Sequence, residues 1–447
     1  MKKYTNKSLI TKCAFREKRE RNGFFMKKYI TYILIFVCII VITPKVFADD
    51  EDLEEEINDT AWIYEQIEAA SSNATDEPNI NSRAAVVYDR TSGEVIWGKN
   101  EKSQRKMAST TKVMTSIVVI ENVKDLSQTV TISNKAAGVG GSRLGLHTGD
   151  KITVNDLLYG LMLESGNDCA IALGEYVGNS VENFVGMMNE KANNLGLSNT
   201  HFVTVNGLDA DEHYTTAVEL AKLTDYALKN DKFKNIVGTK NYTVTINGYG
   251  KAIDNTNELL GYLDGVYGVK TGFTNGANRC LVTSVKRGNM DIISVVLGAD
   301  TKKDRTRDSI EIIEYAYTNY KIVDVTQNIE KSFEEWKNQN RVKTIKGISK
   351  YVDIELGECD NKIIPTKNEN IKDIEININS IKIVHAPINR GEKIGKLELK
   401  INNETRISID IIIAEDVNKK DEKKYFFEIL SNLKEYYKRA IIHTYEI

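Results

Sequence analysis

Hydrophobic and polar positions change period several times along the chain, and each change predicts an element. "RAAVVYDRTSGEVIWGKNE", starting at Arg83, reads as two β-rich runs around a turn at Asp89-Arg90-Thr91-Ser92-Gly93. An apolar helix-like run follows Ser109 in "MASTTKVMTSIVVIEN". "KITVNDLLYGLMLESGNDCAIALGEYVG" opens on Thr153 with Asp156 three residues later, a capping-box-like helix start. It stays apolar through Leu157, Leu158, Leu161 and Met162, breaks at Ser165-Gly166-Asn167 and resumes at Ala170. "SVENFVGMMNEKANNLG" is an amphipathic helix ending at a glycine, and "TTAVELAKLTDYALKN" is another. Further on, "GVYGVKTGFT" alternates like a strand, and "CLVTSVKRGNMDIISVVLGAD" reads as a hairpin turning at Arg287-Gly288-Asn289. "RTRDSIEIIEYAYTNY" closes this part as a helix. Strands early, helices in the middle and strands late predict the α+β class, an antiparallel sheet backed by helices, over residues 82–325.

The texture then changes. Short Ile/Val alternations separated by Asn, Gly and Asp turns predict a small all-β domain over residues 326–418. Residues 419–447 end in an amphipathic helix, with Phe426, Phe427, Ile429, Leu430 and Leu433 interleaved with lysines. Its apolar side has two readings, packing against the β-rich domain or lying on a membrane surface.

At the other end, "MKKYITYILIFVCIIVITPKVFA" joins a basic start to an apolar stretch and a small final residue. That is a secretory signal peptide pattern, starting at Met26 and cleaved after Ala48, with residues 1–25 as an upstream extension. The apolar stretch is short for a membrane span, so export is expected. Residues 49–81 form an acidic leader with one helix in "TAWIYEQIEAA".

Composition excludes several classes. The 447 residues are 41% hydrophobic and 28% charged with net charge −3, which fits a globular protein and offers nothing to nucleic acid. The five cysteines (Cys13, Cys38, Cys169, Cys280, Cys359) are scattered, and only the last three survive the expected cleavage. They do not form a disulfide framework. The five histidines are dispersed as well, so neither a metal site nor a cofactor is expected.

Three short motifs carry the chemistry. Ser109 and Lys112 stand one helical turn apart, so they project to the same side. A serine is a weak nucleophile until a neighbour takes its proton. A lysine can do so only when burial or another cation lowers its pKa. The apolar residues after Lys112 make burial plausible, although serine and lysine at this spacing arise by chance about twice in such a chain. Ser103/Lys106 and Ser431/Lys434 share it. Second, Ser165-Gly166-Asn167 lies at a helix break, where a loop between two anchored helices can hold a hydroxyl and an amide in a cleft. Alone it also reads as an ordinary glycine turn. Third, Lys270-Thr271-Gly272 lies on a strand. A second cation there could hold a substrate carboxylate and depress the pKa of Lys112. Gly272 lacks a Cβ, so an extended substrate could lie against the strand, and the Phe273 N–H could join that of Ser109 around an oxyanion.

S-x-x-K, S-D-N and K-T-G in this order are the signature of β-lactamases and penicillin-binding proteins, with Ser165-Gly166-Asn167 in the second place here. "RKMASTTKVMT", "LLYGLMLESGNDCAIAL", "NTHFVTVNGLDADEHYTTA" and "GVKTGFTNGANRCLVTSV" resemble the D-alanyl-D-alanine carboxypeptidases, the low-molecular-mass penicillin-binding proteins. "APINRGEKIGKLELKI" resembles that family's C-terminal domain, and the terminal helix its membrane-surface anchor. The resemblance implies Ser109 as the acylated nucleophile and Lys112 as its base. It implies that Ser165 and Asn167 assist proton transfer and bind the substrate amide. Lys270 and Thr271 would hold the terminal D-alanine carboxylate, and Arg305 in "GADTKKDR" matches an arginine that helps. Met107, Glu164 and Asn278-Arg279 depart from the family's usual residues in loops beside the motifs. The implied partners are peptidoglycan stem peptides, with β-lactams as inhibitors. A β-lactamase, or a non-catalytic wall-binding protein of the same fold, is the alternative.

Overall fold

The computed structural model describes residues 59–359 and 361–445. The expected signal peptide, its upstream extension and the acidic start of the leader lie outside those residues. Five strands form the central sheet: β1 (Ala84–Asp89), β2 (Glu94–Lys99), β3 (Val266–Thr274), β4 (Asn278–Arg287) and β5 (Met290–Ala299). Their spatial order is β2-β1-β5-β4-β3, and every neighbouring pair is antiparallel. Gly288 at φ +58 makes the β4–β5 turn where the sequence predicts it. Both faces of the sheet are covered, so β5 reads as an almost continuous apolar run rather than an alternating one. Ala84, Val86, Val282, Val295 and Leu297 pack on the helical layer. Ala85, Val87, Leu281 and Val296 pack on the opposite side.

The helical layer comprises α2 (Lys112–Asn122), α3 (Val154–Met162), α4 (Asn167–Gly178), α5 (Val181–Asn194) and α6 (Ala217–Leu228). Local chemistry sets their starts. The Thr153, Ser180 and Thr216 side chains each accept a backbone N–H in the first turn of the following helix. Gly196, at φ +70, follows the end of α5. In α2, Val113, Met114, Ile117, Val118 and Val119 are all buried, so this helix forms the centre of the layer.

The opposite face is closed by α7 (Lys302–Asn319) and by α1 (Thr60–Asn73), which is the helix expected in the leader. Ile63 and Ile80 join the core on this side, and Trp97 donates its indole N–H to Glu77 at 2.7 Å. The described part of the leader therefore packs against the central sheet and its helix α7.

Beyond α7, Tyr320–Asp324 pairs with Ile363–Lys367, and Arg406 pairs with Glu94, tying the C-terminal domain to the sheet. The segment expected to be all-β opens on a helix, α8 (Thr326–Gln339), which buries Ile329 and Phe333. Amphipathic helical spacing there was not separated from the β-rich texture that follows it. A four-stranded and a three-stranded sheet complete this domain around Leu397, Leu399, Ile409 and Ile411. The last helix, α9 (Glu422–Tyr445), stands apart from it: every side chain from Glu422 to Lys438 is exposed except half-buried Tyr425.

Candidate active site

Ser109 lies in a short 3-10 turn, Ala108–Thr111, that leads into α2. Ala108 adopts φ +48, an uncommon conformation for a residue with a Cβ. Two glycines pack against this turn. A Cβ added to Gly207 would stand 1.9 Å from the Ala108 carbonyl oxygen. One added to Gly272 would stand 3.1 Å from Ser109 N and 3.2 Å from Thr110 N. The absent side chain of Gly272 thus lets β3 lie directly against the turn that carries Ser109.

Lys112 is fully buried. Its Nζ lies 2.7 Å from Ser109 Oγ, 2.7 Å from Asn167 Oδ1, 2.9 Å from the Asn206 carbonyl oxygen and 3.4 Å from Ser165 Oγ. Burial drives its pKa well below the ordinary lysine value, and the nearby charge of Lys270 pushes the same way. Cys169 and Asp168 oppose the shift without reversing it.

Ser165 is buried in the loop between α3 and α4, at φ +59. Asn167 is the first residue of α4. Its backbone N–H donates to the Ser142 carbonyl at 2.8 Å, and its Nδ2 to the Gly140 carbonyl at 2.8 Å. Its Oδ1 is therefore turned toward Lys112. Gly141, at φ +75, makes room: a Cβ there would be 2.7 Å from Asn167 Nδ2. Beneath the loop, the buried Asp168 carboxylate accepts the backbone N–H groups of Leu144, Gly145 and Leu146 at 2.8 to 3.0 Å. It also accepts from Cys169 N at 2.9 Å.

Lys270 is buried on β3. In the register, Lys270 stands opposite Val282 and Gly272 opposite Cys280, residues of the helical side of the sheet. Thr271 stands opposite Leu281, which belongs to the other face. The Thr271 and Thr256 hydroxyls are 2.7 Å apart. Phe273 is half-buried, with the Arg279 guanidinium stacked 3.7 Å from its ring centre.

Residues 109, 112, 165 and 167 thus meet at one point, with residues 270 to 273 along one side of it. Arg305 is placed differently. It lies on α7, its guanidinium pairs with the Glu258 carboxylate, and Thr306 Oγ1 donates to the same carboxylate oxygen. Among the described residues, no hydrogen bond joins Arg305 to the Ser109 group. Sequence reasoning also missed Asn206, Gly207, Asp168 and Glu258. "NGLDAD" and "SGNDC" gave no signal for the first three beyond their nearness to a motif.

A serine hydroxyl against a buried lysine driven toward its neutral form, set between a helical layer and an antiparallel sheet, defines a serine–lysine hydrolase. Residues 71–301 match the family model for D-alanyl-D-alanine carboxypeptidase, and residues 334–419 match that for the C-terminal domain of penicillin-binding protein 5. The chain is 31% identical to D-alanyl-D-alanine carboxypeptidase DacF of Bacillus subtilis, over 88% of this chain and 95% of that one. It is 32% identical to DacC of Escherichia coli, over 80% and 89%. Among solved structures, penicillin-binding protein 5 of Haemophilus influenzae superposes with a TM-score of 0.64 at 27% identity, covering 77% of this chain and 99% of that one. The Streptomyces K15 DD-transpeptidase aligns at 35% identity with a TM-score of 0.53, over 54% and 99%. The chain belongs to the D-alanyl-D-alanine carboxypeptidase family.

Proposed function

We propose that this protein is an exported serine carboxypeptidase that removes the terminal D-alanine from peptidoglycan stem pentapeptides through an acyl-enzyme on Ser109. The observation that carries the reading is the contact of buried Lys112 Nζ with Ser109 Oγ at 2.7 Å. A neutral amine has two N–H donors and one lone pair. Two carbonyl-type acceptors, Asn167 Oδ1 and Asn206 O, take the two donors. The lone pair is then left for the Ser109 proton.

In the first half-reaction, Ser109 Oγ attacks the carbonyl carbon of the penultimate D-alanine, and its proton passes to Lys112. The oxyanion is held by the N–H groups of Ser109 and Phe273. Collapse breaks the C–N bond, and the leaving D-alanine amine receives the proton from Lys112 through Ser165 Oγ. Water then attacks the ester with Lys112 again as base, freeing the shortened peptide and restoring the serine. Asn167 orients the substrate amide. Lys270 and Thr271 hold the terminal carboxylate, and Gly272 lets the peptide lie along β3.

Penicillin would acylate Ser109 by the same attack. The hydrogen-bond partners of Lys112 are two hydroxyls, a side-chain amide and a backbone carbonyl, with no carboxylate among them. That favours a persistent penicilloyl-enzyme over the rapid hydrolysis of a β-lactamase.

The exposed Phe426, Phe427, Leu430, Leu433 and Tyr437 of α9 support attachment to the outer surface of the cell membrane. No helix among the described residues is long and apolar enough to cross a membrane.

The deciding experiment incubates purified protein with a peptide ending in D-Ala-D-Ala. D-alanine release by the wild type and none by Ser109→Ala is expected, with labelled penicillin mapping to Ser109. No release by the wild type, or unchanged release by the variant, would end the reading.

A further inference from the structure

We infer that Glu258 is a specificity-determining residue that weakens the grip of this site on a substrate's terminal carboxylate. The inference rests on the carboxypeptidase reading and concerns one subsite of it. Thr271 shares its face of the sheet with Leu281, whose neighbours on that side include Ile310, Ile312 and Ile313 of α7. Arg305 belongs to the same helix, one turn or so earlier. The loop carrying Thr256, whose hydroxyl meets that of Thr271 at 2.7 Å, reaches Glu258 two residues later. Thr271, Glu258 and Arg305 are thereby gathered on one side of the edge strand.

The Arg305 and Glu258 side chains are 5% and 9% exposed, so their charges face each other with little water between them. One Glu258 oxygen accepts from both the Arg305 Nη2 and the Thr306 hydroxyl. The other oxygen, Oε2, and the Arg305 Nε are buried without a hydrogen-bond partner. A guanidinium meets a carboxylate best with two parallel bonds. Here the fork is engaged at a single oxygen, and a donor and an acceptor are both left over. Such a pair is poorly matched, and it cancels the charge of Arg305 in place. An arriving carboxylate gains no net attraction from Arg305 unless it displaces Glu258. Its recognition falls to Lys270 and Thr271.

The test compares two peptides cleaved at the same bond, one ending in free D-alanine and the other in D-alaninamide, with wild type and Glu258→Gln. The variant keeps the side-chain shape and deletes the charge. KM for the free acid is expected to fall by about tenfold, the effect of one unit charge in a partly screened cleft. The kcat for both peptides, and KM for the amide, should stay within about twofold. Thr306→Val, which removes one of the two hydrogen bonds holding Glu258, should move KM the same way by less. It serves if melting curves show Glu258→Gln to be unfolded. A KM for the acid that rises would mean that Glu258 props Arg305 toward substrate, and overturns the inference. So would an unchanged KM in a folded variant, or equal shifts for acid and amide. A wild type that releases neither D-alanine from the acid nor D-alaninamide from the amide would instead remove the carboxypeptidase reading itself.

Discussion

Gly207 touches the carbonyl of Ala108 so closely that a Cβ would sit 1.9 Å from its oxygen. The contact holds the turn that presents Ser109, in which Ala108 already adopts φ +48. Gly207 itself adopts φ +90, so any side chain is disfavoured there twice over. Gly207→Ala must push the turn that carries Ser109 away. D-alanine release should fall by about 100-fold or more, because catalysis depends on placement at the ångström scale. Penicillin acylation, followed by mass spectrometry, should fall in parallel.

In the proposed mechanism Lys112 accepts the Ser109 proton only when neutral, so acylation should rise with pH as Lys112 loses its proton. Burial and Lys270 lower that pKa, and the rise therefore occurs below the ordinary lysine range. Removing the Lys270 charge takes away one of the two causes. In Lys270→Gln, the ascending limb of the pH–rate profile for penicillin acylation should move to higher pH. A limb that stays in place would show that Lys270 does not act on Lys112.

The Asp168 carboxylate receives four backbone N–H groups, three from residues 144 to 146 and one from Cys169. The neighbouring carbonyls of Gly140 and Ser142 hold Asn167. Asp168→Asn replaces one acceptor oxygen with a donor facing other donors. A stability loss of about 1–3 kcal/mol is expected in denaturant titration, as for a buried group left unpaired. The kcat should fall with it, since Asn167 loses the support that orients it. Unchanged kinetics in the folded variant would confine Asp168 to a structural role.

His213 reports on a different stress. Its Nδ1 accepts the Val203 N–H at 3.0 Å, so its Nε2 carries the hydrogen and donates to Thr111 Oγ1 at 2.8 Å. Burial pushes its pKa from 6.5 down to about 4. The unfolded chain therefore binds a proton that the folded protein refuses between those values. Stability is full above pH 6.5 and is lost as pH falls toward 4, by about 3 kcal/mol. His213→Gln should flatten that part of a plot of unfolding free energy against pH.

Deleting residues 421 to 447 should abolish binding to anionic lipid vesicles in a sedimentation assay. Helix α9 exposes Phe426, Phe427, Tyr436 and Tyr437 rather than packing them on the β-rich domain, so hydrolysis of a soluble peptide should be unaffected.

Much of the fold was readable because its signals are local. The run after Ser109 is mainly apolar, and α2 is buried along most of its length. Thr153 with Asp156 marked the start of α3 correctly, since capping needs only residues within one turn. Several elements escaped, among them one helix and one hairpin with clear local signals. Helix α8 was merged into the β-rich texture around it. The hairpin Asn241–Ile246 with Tyr249–Asp254 was passed over, although its Asn247-Gly248 turn, at φ +53 and +85, is a strong hairpin signal.

What the sequence by itself determined is the order of three motifs and the kind of element that carries each, because residue type and period are properties of short stretches. The meeting of Ser109, Lys112, Ser165 and Asn167 could be expected from those motifs. The lowered pKa of Lys112 could not be read from them, since it depends on burial by residues far away along the chain. Tertiary structure alone decided that the Asn206 carbonyl caps that amine, that Gly207 braces the turn before Ser109, and that Glu258 occupies Arg305. Each of these residues looks ordinary in its own stretch, and its importance comes from what folding brings against it.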